Sequence, residues 1–463
     1  MFFNRQTYQN RRAALKSKMK EGVVLLLGNV DVPMNYRANT YHFRQDSSFL
    51  YFFGIDQQGL AAVIDLESGT ETLFGDDVTI DDIIWMGPQP LLKETAETVG
   101  VSNTASSAQL AEVLKQAMDA GRKVHFLPPY RAENKFRLEQ LVGIHPGEQP
   151  SKASVELIKA VVAIRSIKEE QEVAEIEKAI ETAWLMHTTA MKMAQPGVYE
   201  YEIAGAVEGV ALAAGGTLSF PLILSNRGET LHNHYHGNRL ETGDLLLVDG
   251  GCELASHYAT DHTRTTPVGG RFSQKQKEIY QVVLNAEIKA IESIKPGVPF
   301  KAVHLLAAEI VAQGLKDLGL MKGDIPSAVV QGAHALFFPH GLGHMMGLDV
   351  HDMEDLGENF VGYDEEITRS DLFGTGYLRL GKRLQPGFVL TVEPGIYFIP
   401  ALIEKWAAEG KFTEFINYDR VRQYIGFGGI RIEDDVLVTA DGYRVLGKPI
   451  PKTIEEIENI QAV

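Results

Sequence analysis

The feature that most constrains this chain is residues 245–267, which read LLLVDGGCELASHYATDHTRTTP. Four apolar residues followed by Asp249 and two glycines are typical of a short strand that is buried on both faces. A second carboxylate, Asp261, follows a segment whose small residues can reverse the chain. We expect the two segments to pair as a hairpin. Because neighbouring buried carboxylates repel each other, such a pair requires a proton or a cation between them.

The composition limits the classes of function. A chain of 463 residues exceeds one ordinary hydrophobic core, so we expect two or three domains. A net charge of −17 argues against nucleic acid and against anionic membrane surfaces as partners. The single cysteine, Cys252, excludes an intrachain disulfide and suits a reducing compartment. With no secretory signal and no apolar run long enough for a bilayer, the sequence predicts a cytoplasmic protein.

The N-terminal region, residues 1–160, is predicted to be an α/β domain with two apolar runs typical of buried strands. Its aromatic segment at residues 43–54, FRQDSSFLYFFG, is interpreted as core packing rather than as a ligand site, and Trp85 is interpreted in the same way. Residues 145–154 are rich in Pro, Gly and Ser, which predicts a linker. A second domain is expected over residues 161–463.

This second domain contains a short internal repeat. The sequence QPGV at residues 195–198 is echoed by KPGV at residues 295–298, each at the end of a helical stretch. Each copy is followed by a turn glycine, an apolar run and a terminal carboxylate, which are Gly243 to Asp249 and Gly387 to Glu393. Chance similarity is the alternative for so short a match. The repeat predicts an α+β domain with two similar halves.

Further ligand-type residues accompany the two aspartates. His344 lies in the glycine-rich HGLGHMMG, Glu393 ends the second apolar run, and Glu433 lies two residues after Arg431, on the same face of a strand. Four carboxylates and one imidazole can hold two divalent cations with a water or hydroxide between them. Such oxygen-rich ligation favours Mn²⁺, with Co²⁺, Fe²⁺ or Zn²⁺ as alternatives.

Taken one at a time, these residues have ordinary explanations as strand caps or satisfied core side chains. Together they favour a metal site, because ten of the fourteen histidines fall between His232 and His351 and the acids end apolar runs. Other chemistry is poorly represented. The chain has no HExxH motif and no P-loop, and its Gly-Leu-Gly lacks the spacing of a dinucleotide motif. Cys252 has no evident base partner and is interpreted as packing.

The ordered motifs VDGG, TDHTRT, HGLGHMMGLDVHD, TVEPGIY and GGIRIEDD resemble the proline-specific branch of the pita-bread metallopeptidases, which comprises aminopeptidase P and prolidase. FRQDSSFLYFFG and the IIWMG around Trp85 are similar to the first domain of that branch, so the resemblance covers nearly the whole chain. It implies an N-terminal creatinase-like α/β domain, a C-terminal pita-bread domain with pseudo-two-fold halves, two bridged metal ions and a homodimer.

By that resemblance, the metal ligands are Asp249, Asp261, His344, Glu393 and Glu433, with Asp261 and Glu433 bridging the two ions. A bridging hydroxide would attack the scissile carbonyl, and Glu393 would carry the proton to the leaving proline nitrogen. The resemblance also assigns residues to the substrate. His340 and His351 would lie near the substrate and stabilise the charge that develops at the tetrahedral intermediate. Arg431 would orient the carboxylates and bind substrate.

Two details depart from the family pattern. The family spaces its two aspartates by eleven residues, whereas twelve separate Asp249 from Asp261, which calls for a longer turn or a bulge. The family also has a substrate-site histidine upstream, after a leucine. Here the sequence LHNH offers both His232 and His234, and His232 keeps the family's distance to Asp249.

The proposed substrates are proline-containing dipeptides or oligopeptides. Two features favour a prolidase: the insert between Tyr397 and Gly426, and the segment LRLGKRLQP, in which Arg379 matches the arginine that binds a dipeptide's free carboxylate. The alternative for Arg379 is a solvated basic surface. The alternative for the protein is an aminopeptidase P, which releases the first residue of longer peptides. A third possibility, a pita-bread domain that binds without catalysis, is disfavoured because all five ligand types are present.

Overall fold

The structure is a computed structural model that describes residues 2–461. The chain forms two compact units. The first contains the residues up to Arg165 together with Glu354–Phe360, and the second contains Ser166–Met353 and the residues from Val361 onward. Within the described range, no helix combines the length and the apolar character needed to cross a bilayer.

The first unit is built on a mixed sheet. Its strands in the described range are β1 Val23–Leu27, β2 Ala61–Asp65, β3 Glu71–Phe74, β4 Asn103–Ala105 and β5 Val124–His125. They lie in the order β4-β3-β2-β1-β5. The outer contacts β3–β4 and β1–β5 are parallel, and the inner ones are antiparallel. The helices before the second unit are α1 Arg5–Lys18, α2 Ser47–Phe53, α3 Ile80–Met86, α4 Leu92–Thr98, α5 Leu110–Asp119, α6 Ala132–Val142, α7 Gln149–Lys152 and α8 Val155–Arg165.

The aromatic segment of this unit forms helix α2. Asp46 begins the helix by accepting a hydrogen bond from the Phe49 backbone N–H, and Gly54 ends it in a left-handed conformation. Phe49, Phe52 and Phe53 are fully buried, so the expectation of core packing is confirmed. The burial of these rings explains why the segment is so rich in aromatic residues.

Two expectations for the first unit are wrong. Trp85 is 86% exposed, because helix α3 contains no buried residue and presents its apolar side chains to solvent. Residues 145–154 are not a free linker, because they include helix α7. Gln149 of this helix is fully buried and donates to the carbonyls of Lys135 and Ile144.

The helices that follow are α9 Glu170–Met193, α10 Glu200–Ala213, α11 Gln274–Glu292, α12 Phe300–Asp317, α13 Ile325–Gln331, α14 Glu358–Val361, α15 Pro400–Ala408, α16 Tyr418–Val421 and α17 Ile454–Gln461. The strands are β6 Thr217–Leu218, β7 Ile223–Ser225, β8 Leu245–Asp249, β9 Cys252–Glu253, β10 Thr263–Pro267, β11 Val389–Val392, β12 Gly395–Tyr397, β13 Gly429–Arg431, β14 Asp434–Val438 and β15 Tyr443–Val445. Among the described residues they form the ladders β10-β8-β7, β11-β14-β15, β12-β13 and β6-β9.

The predicted repeat is present in the second unit. After α9, the Gly197 N–H donates to the Leu240 carbonyl at 2.8 Å, and after α11, the Gly297 N–H donates to the Leu384 carbonyl at 2.8 Å. Both glycines have positive φ, as do the turn glycines before β8 and β11. A helix pair and a strand that ends next to a carboxylate therefore occur in each half, the first half being residues 170–268 and the second residues 274–445.

Strand β8 is buried on both faces, as its apolar run predicts. Leu246 and Val248 pack in a cluster with side chains of α9 and α10. Leu247 points to the other side and packs against Ile223 and Tyr397. Because the whole strand lies in the core, it carries the carboxylate of its last residue into the interior.

Candidate metal centre

The predicted hairpin brings Asp249 and Asp261 to one face of the sheet. Strands β8 and β10 are antiparallel, with Asp249 opposite Thr263, and the same register continues to a bridge between Glu253 and Ala259. Asp261 lies two residues from Thr263, so its side chain leaves the same face as that of Asp249. Since the register is unbroken, residues 254–258 accommodate the twelve-residue spacing in the turn.

Thr263 links this hairpin to the second half of the repeat. It pairs with Asp249 on one side and forms a bridge with Glu433 on the other. Its hydroxyl donates to the Glu433 carboxylate at 2.7 Å. Strands β11 and β14 are antiparallel, and Val392 pairs with Asp434 at the end of β11. Glu393, the next residue, therefore lies opposite Glu433, the residue before Asp434. The ends of four segments therefore place carboxylates side by side.

His344 joins this row through close backbone packing. Its carbonyl accepts from the Thr391 N–H at 3.0 Å, next to Glu393. A Cβ atom on Gly343 would lie 2.0 Å from the Thr391 carbonyl oxygen, so only glycine permits this approach. The glycine-rich motif around His344 is thus required to place the imidazole against strand β11.

The four carboxylates and His344 line one cavity of about 500 Å³. The sequence-predicted residues on its wall are Asp249, Asp261, His344, Glu393, Glu433, His232, His234, His340, His351, Arg379 and Arg431. The cavity also has apolar and aromatic walls, which include Phe220, Ile223, Leu231 and Tyr377. The structure therefore brings together every residue singled out for the site, and it adds apolar surface suited to a small organic ligand.

The carboxylates are buried with too little compensating charge. Asp249, Asp261 and Glu433 each have one buried oxygen without a hydrogen-bond partner. Burial and repulsion from neighbouring carboxylates hold the pKa of Asp261 and of Glu433 well above their ordinary values. Burial also raises the pKa of Glu393 to about 7. Such groups are stable as anions only when a cation lies between them.

His344 is oriented as a ligand to that cation. Its Nδ1 lies 3.1 Å from the Met345 carbonyl, which only accepts, so Nδ1 carries the proton. The Nε2 lone pair then faces Asp261 Oδ2 at 3.4 Å and Glu393 Oε1 at 3.7 Å. Burial holds the pKa of His344 well below its ordinary value, so the ring is neutral. A lone pair facing two carboxylate oxygens fits a divalent cation between them.

One ligand set satisfies this geometry directly. Ligand atoms of Asp261, His344 and Glu433 all lie within 4.8 Å of one another, which is close enough to share one ion. Asp249 and Glu393 border the same cavity and present further oxygens. The donor set, with carboxylate oxygens and one imidazole nitrogen, suits a divalent metal of the first transition row.

Arg431 is the cation that balances part of this charge. This residue is 3% exposed. It donates hydrogen bonds to Asp249 Oδ2 at 2.6 Å and to the Thr263 hydroxyl at 3.1 Å. A third bond runs to the Tyr397 hydroxyl at 2.7 Å. Arg431 therefore holds Asp249 in one orientation, leaving its other oxygen turned into the site.

Tyr397 was missed by the sequence reasoning. It is fully buried, accepts from Arg431, and its hydroxyl lies 2.9 Å from His340 Nε2. His340 Nδ1 faces the Gly341 carbonyl at 2.8 Å, so the Tyr397 hydroxyl donates to Nε2. Alternation along β12 was the available signal, because Glu393, Gly395 and Tyr397 fall on one face of an extended chain.

Arg379 is held at the cavity by its neighbours. The Tyr363 hydroxyl donates to the Leu378 carbonyl at 2.6 Å, and the N–H of Gly381 donates to the Gly362 carbonyl at 2.8 Å. His232 and His234 also line the cavity, and both side chains remain partly exposed to solvent. The pKa of His232 is lowered by burial of its ring and by Arg431.

Comparisons with known proteins identify the family of this chain. The model of metallopeptidase family M24 matches residues 174–440, and the model of the aminopeptidase P N-terminal domain matches residues 8–125. Human Xaa-Pro dipeptidase is 31% identical over 472 residues, covering 99% of this chain and 92% of the human protein. Xaa-Pro aminopeptidase of Escherichia coli is 31% identical over 471 residues, covering 98% of this chain and 97% of the bacterial protein.

Solved structures of aminopeptidase P have the same fold as this chain. A glutamate-to-alanine variant of Escherichia coli aminopeptidase P in complex with substrate superposes with a TM-score of 0.82 at 30% identity, covering 100% of this chain and 99% of that one. Aminopeptidase PepP of Pseudomonas aeruginosa superposes with a TM-score of 0.81 at 27% identity, covering 100% and 99%. These comparisons confirm the predicted fold class, an N-terminal aminopeptidase P-type domain followed by an M24 domain. The chain therefore belongs to metallopeptidase family M24, and within it to the branch of Xaa-Pro peptidases.

Proposed function

We propose that this protein hydrolyses Xaa-Pro bonds with a pair of divalent metal ions, and that its preferred substrates are Xaa-Pro dipeptides. The observation that carries the proposal is the sharing of one cavity by the carboxylate and imidazole cluster and by Arg379. A metal site cleaves the peptide bond, and a guanidinium beside it recognises a free carboxylate.

In this proposal, Asp249 and Asp261 would hold one ion, His344 and Glu393 would hold the other, and Asp261 and Glu433 would serve as ligands to both. Mn²⁺ is the proposed native metal, because the donors are mainly carboxylate oxygens. When bound, the metals lower the pKa of a water molecule toward neutrality and so supply the nucleophile. Arg431 supports the set by holding Asp249 through its 2.6 Å bond.

Glu393 is the proposed proton carrier. Its carboxylate lies between two histidines, with Oε1 3.7 Å from His344 Nε2 and Oε2 3.7 Å from His340 Nδ1. Burial raises its pKa to about 7 in the metal-free protein, and a carboxylate placed beside the nucleophile is an ordinary proton acceptor and donor in hydrolysis. Glu393 would receive the proton of the nucleophile and give it to the leaving proline nitrogen. His232, His351 and, as a second choice on the upstream segment, His234 are the proposed substrate contacts.

Arg379 would decide between dipeptides and longer peptides. A dipeptide ends in a carboxylate directly after proline, whereas a longer peptide continues as a neutral amide at that point. A fixed guanidinium gains a charge-assisted hydrogen bond only with the dipeptide. The positive charge of Arg379 already acts on the cavity, since it is among the influences that lower the pKa of His340.

An Xaa-Pro aminopeptidase is the second candidate. The identity to the Escherichia coli aminopeptidase equals that to human Xaa-Pro dipeptidase, at 31%. An aminopeptidase needs room for the chain beyond proline, in the same cavity that Tyr377 and Arg379 line.

The test compares Ala-Pro with Ala-Pro-Ala after metal removal and reloading with Mn²⁺. Preferential cleavage of Ala-Pro supports the dipeptidase, and preferential cleavage of Ala-Pro-Ala supports the aminopeptidase. Arg379→Ala is expected to raise KM for Ala-Pro roughly 10- to 100-fold, because a hydrogen bond to a charged group contributes about 1.5–3 kcal/mol. Arg379→Lys is the matched control that retains the charge. An equal effect of Arg379→Ala on both peptides contradicts the proposed role.

The assembly and location are also proposals. A homodimer is expected from the family resemblance, and sedimentation at enzyme concentrations used in the assay tests it. A cytoplasmic location is proposed from the use of cysteine, because the sequence has a single cysteine, Cys252, and it is buried.

A further inference from the structure

A buried ion pair lies next to the site in the second unit. Lys168 Nζ donates to Asp352 Oδ2 at 2.8 Å, and both side chains are 1% exposed. Asp352 directly follows His351, which lines the cavity and whose ring centroid lies 4.1 Å from that of His344. The pair has no part in the ligand set or in the proposed substrate contacts.

Both ends of this pair are held by backbone hydrogen bonds. The Lys168 N–H donates to the Gly387 carbonyl at 2.8 Å, at the turn that leads into strand β11. The Asp352 N–H donates to the Met345 carbonyl at 2.9 Å, directly after His344. The ion pair therefore joins the start of strand β11 to the far end of the segment that carries both histidines, residues 344–352.

The local sequence makes room for this pair. A Cβ atom on Gly347 would lie 2.7 Å from Asp352 Oδ2 and 2.9 Å from Lys168 Cε. Gly347 is also bonded to the metal-binding hairpin, because its carbonyl accepts from the Ala259 N–H at 2.8 Å. Glycine at this position lets the segment pass between the hairpin and the ion pair, which explains the third glycine of HGLGHMMG.

We propose that Lys168 is a positioning residue for the reaction, which sets the place of the His351 imidazole through its ion pair with Asp352. The inference rests on the proposed substrate contact of His351. Stability is a poor reason to keep such a pair, because replacing a buried ion pair by apolar side chains is often neutral or favourable. Positioning is a better reason to keep the pair, because a displacement of about 1 Å in a catalytic group can lower the rate on the order of a hundredfold.

The activity test is a double-mutant cycle in the Mn²⁺-loaded enzyme. Lys168→Met is expected to lower kcat for Ala-Pro roughly tenfold with little change in KM, and Lys168→Arg to restore most of it. In the His351→Ala background, Lys168→Met is expected to have no further effect. Equal losses of kcat in both backgrounds would show that Lys168 acts on the fold as a whole and would overturn the proposal.

Two further variants separate positioning from folding. Lys168→Met removes the positive charge that faces the buried Asp352 carboxylate, so the double variant Lys168→Met/Asp352→Asn, which removes both charges, is expected to fold with the same low kcat. Recovery of wild-type kcat in that double variant contradicts the proposal. Lys178→Met is the control in helix α9, which follows Lys168 in the chain, because Lys178 is exposed and pairs only with the neighbouring Glu175 among the ion pairs described.

A measurement without substrate keeps this inference separate from the proposed activity. In Zn²⁺-loaded protein with labelled histidines, the ring resonance of His351 is assigned by its loss in His351→Ala. Lys168→Met is expected to move that resonance while those of His42, His125 and His145 in the first unit stay in place. An unmoved His351 resonance overturns the positioning role even if the enzyme proves active, and a moved one supports it even if Ala-Pro is not cleaved.

Discussion

In both halves of the second unit a long helix ends at a Pro-Gly-Val turn, a second helix follows, and a buried strand ends next to a carboxylate, Asp249 in one half and Glu393 in the other. The halves differ in the segment between the turn and the strand. In the first half it spans residues 199–239 and carries His232 and His234, whereas in the second it spans residues 299–383 and carries His340, His344, His351 and Arg379.

This difference separates two tasks. The repeated scaffold supplies carboxylates from both halves, which is what binding a pair of cations between them requires. Under the proposed function, the unequal segments supply one metal ligand, His344, together with the histidines and the arginine proposed to contact a substrate. A duplicated unit can thus keep its metal-binding strands alike while the connecting segments diverge, in line with the general placement of function on loops supported by a rigid scaffold.

The strongest test of the shared scaffold removes, from each half, one carboxylate that is proposed to bind both metal ions. Asp261→Asn and Glu433→Gln are each expected to lower kcat/KM by at least about a hundredfold, because metal catalysis supplies several kcal/mol. Each is also expected to abolish tight binding of the second metal, as measured by calorimetry. Normal hydrolysis by Asp261→Asn would show that the two halves do not share the metals.

Arg431 tests how the halves are coupled. It belongs to the second half but bonds Asp249 of the first at 2.6 Å. Arg431→Met is expected to weaken metal binding roughly 10- to 100-fold, the usual effect of losing a group that orients a ligand. Arg431→Lys is the control that keeps the charge without the forked geometry. Its metal affinity should lie between those of the wild type and Arg431→Met. Unchanged metal affinity in Arg431→Met would mean that Asp249 needs no orienting partner.

The joint charge of the two halves predicts a pH dependence. In the metal-free protein, burial holds the pKa values of Asp261 and Glu433 above their ordinary range and that of Glu393 at about 7. Over the range from their ordinary pKa to these raised values, the folded state binds more protons than the unfolded state. The free energy of unfolding therefore falls as pH rises through that range.

Bound metal takes the place of these protons. Metal loading is accordingly expected to raise Tm more near pH 8 than near pH 5, which scanning calorimetry of metal-free and loaded protein can measure. Glu433→Gln, which removes one of the charges, should show a smaller pH dependence when metal-free. A Tm of the metal-free protein that rises with pH over this interval contradicts the assignment.

The smallest effect concerns the turn glycines, Gly243 and Gly387, which have φ of 94° and 89°. Gly243→Ala is expected to cost about 1 kcal/mol, because an alanine is strained at positive φ although its Cβ meets nothing within 4 Å. Gly387→Ala is expected to cost about 2 kcal/mol, since its Cβ would also lie 2.7 Å from Ile167 Cγ2. Urea unfolding measures both, and equal costs would show that Ile167 adjusts freely.

The local pattern of the sequence was sufficient for several parts of this molecule. Strand β8 could be predicted because an apolar run bounded by Asp249 and two glycines has few alternatives to a buried strand. The same pattern recurs before Glu393, which made the repeat recognisable. The glycines around His344 indicated close backbone approach, and the structure confirms it at Gly343.

Local pattern failed where exposure or distant pairing decides the outcome. Trp85 could not be placed, since an apolar helix of seven residues is compatible with either burial or exposure and only its neighbours decide. Tyr397 was not recognised as part of the site, because its partners Arg431 and His340 lie far from it in the sequence.

What the sequence by itself determined is the set of candidate ligands, because a carboxylate at the end of a buried strand is costly and has to be explained by a partner. What only the tertiary structure decided is how they meet. Thr263 pairs with Asp249 within one hairpin and with Glu433 across 170 residues, and that second pairing depends on the register of two strands and not on any local preference. The residues at the strand ends therefore define the candidate metal centre, and the contacts between the strands set its geometry.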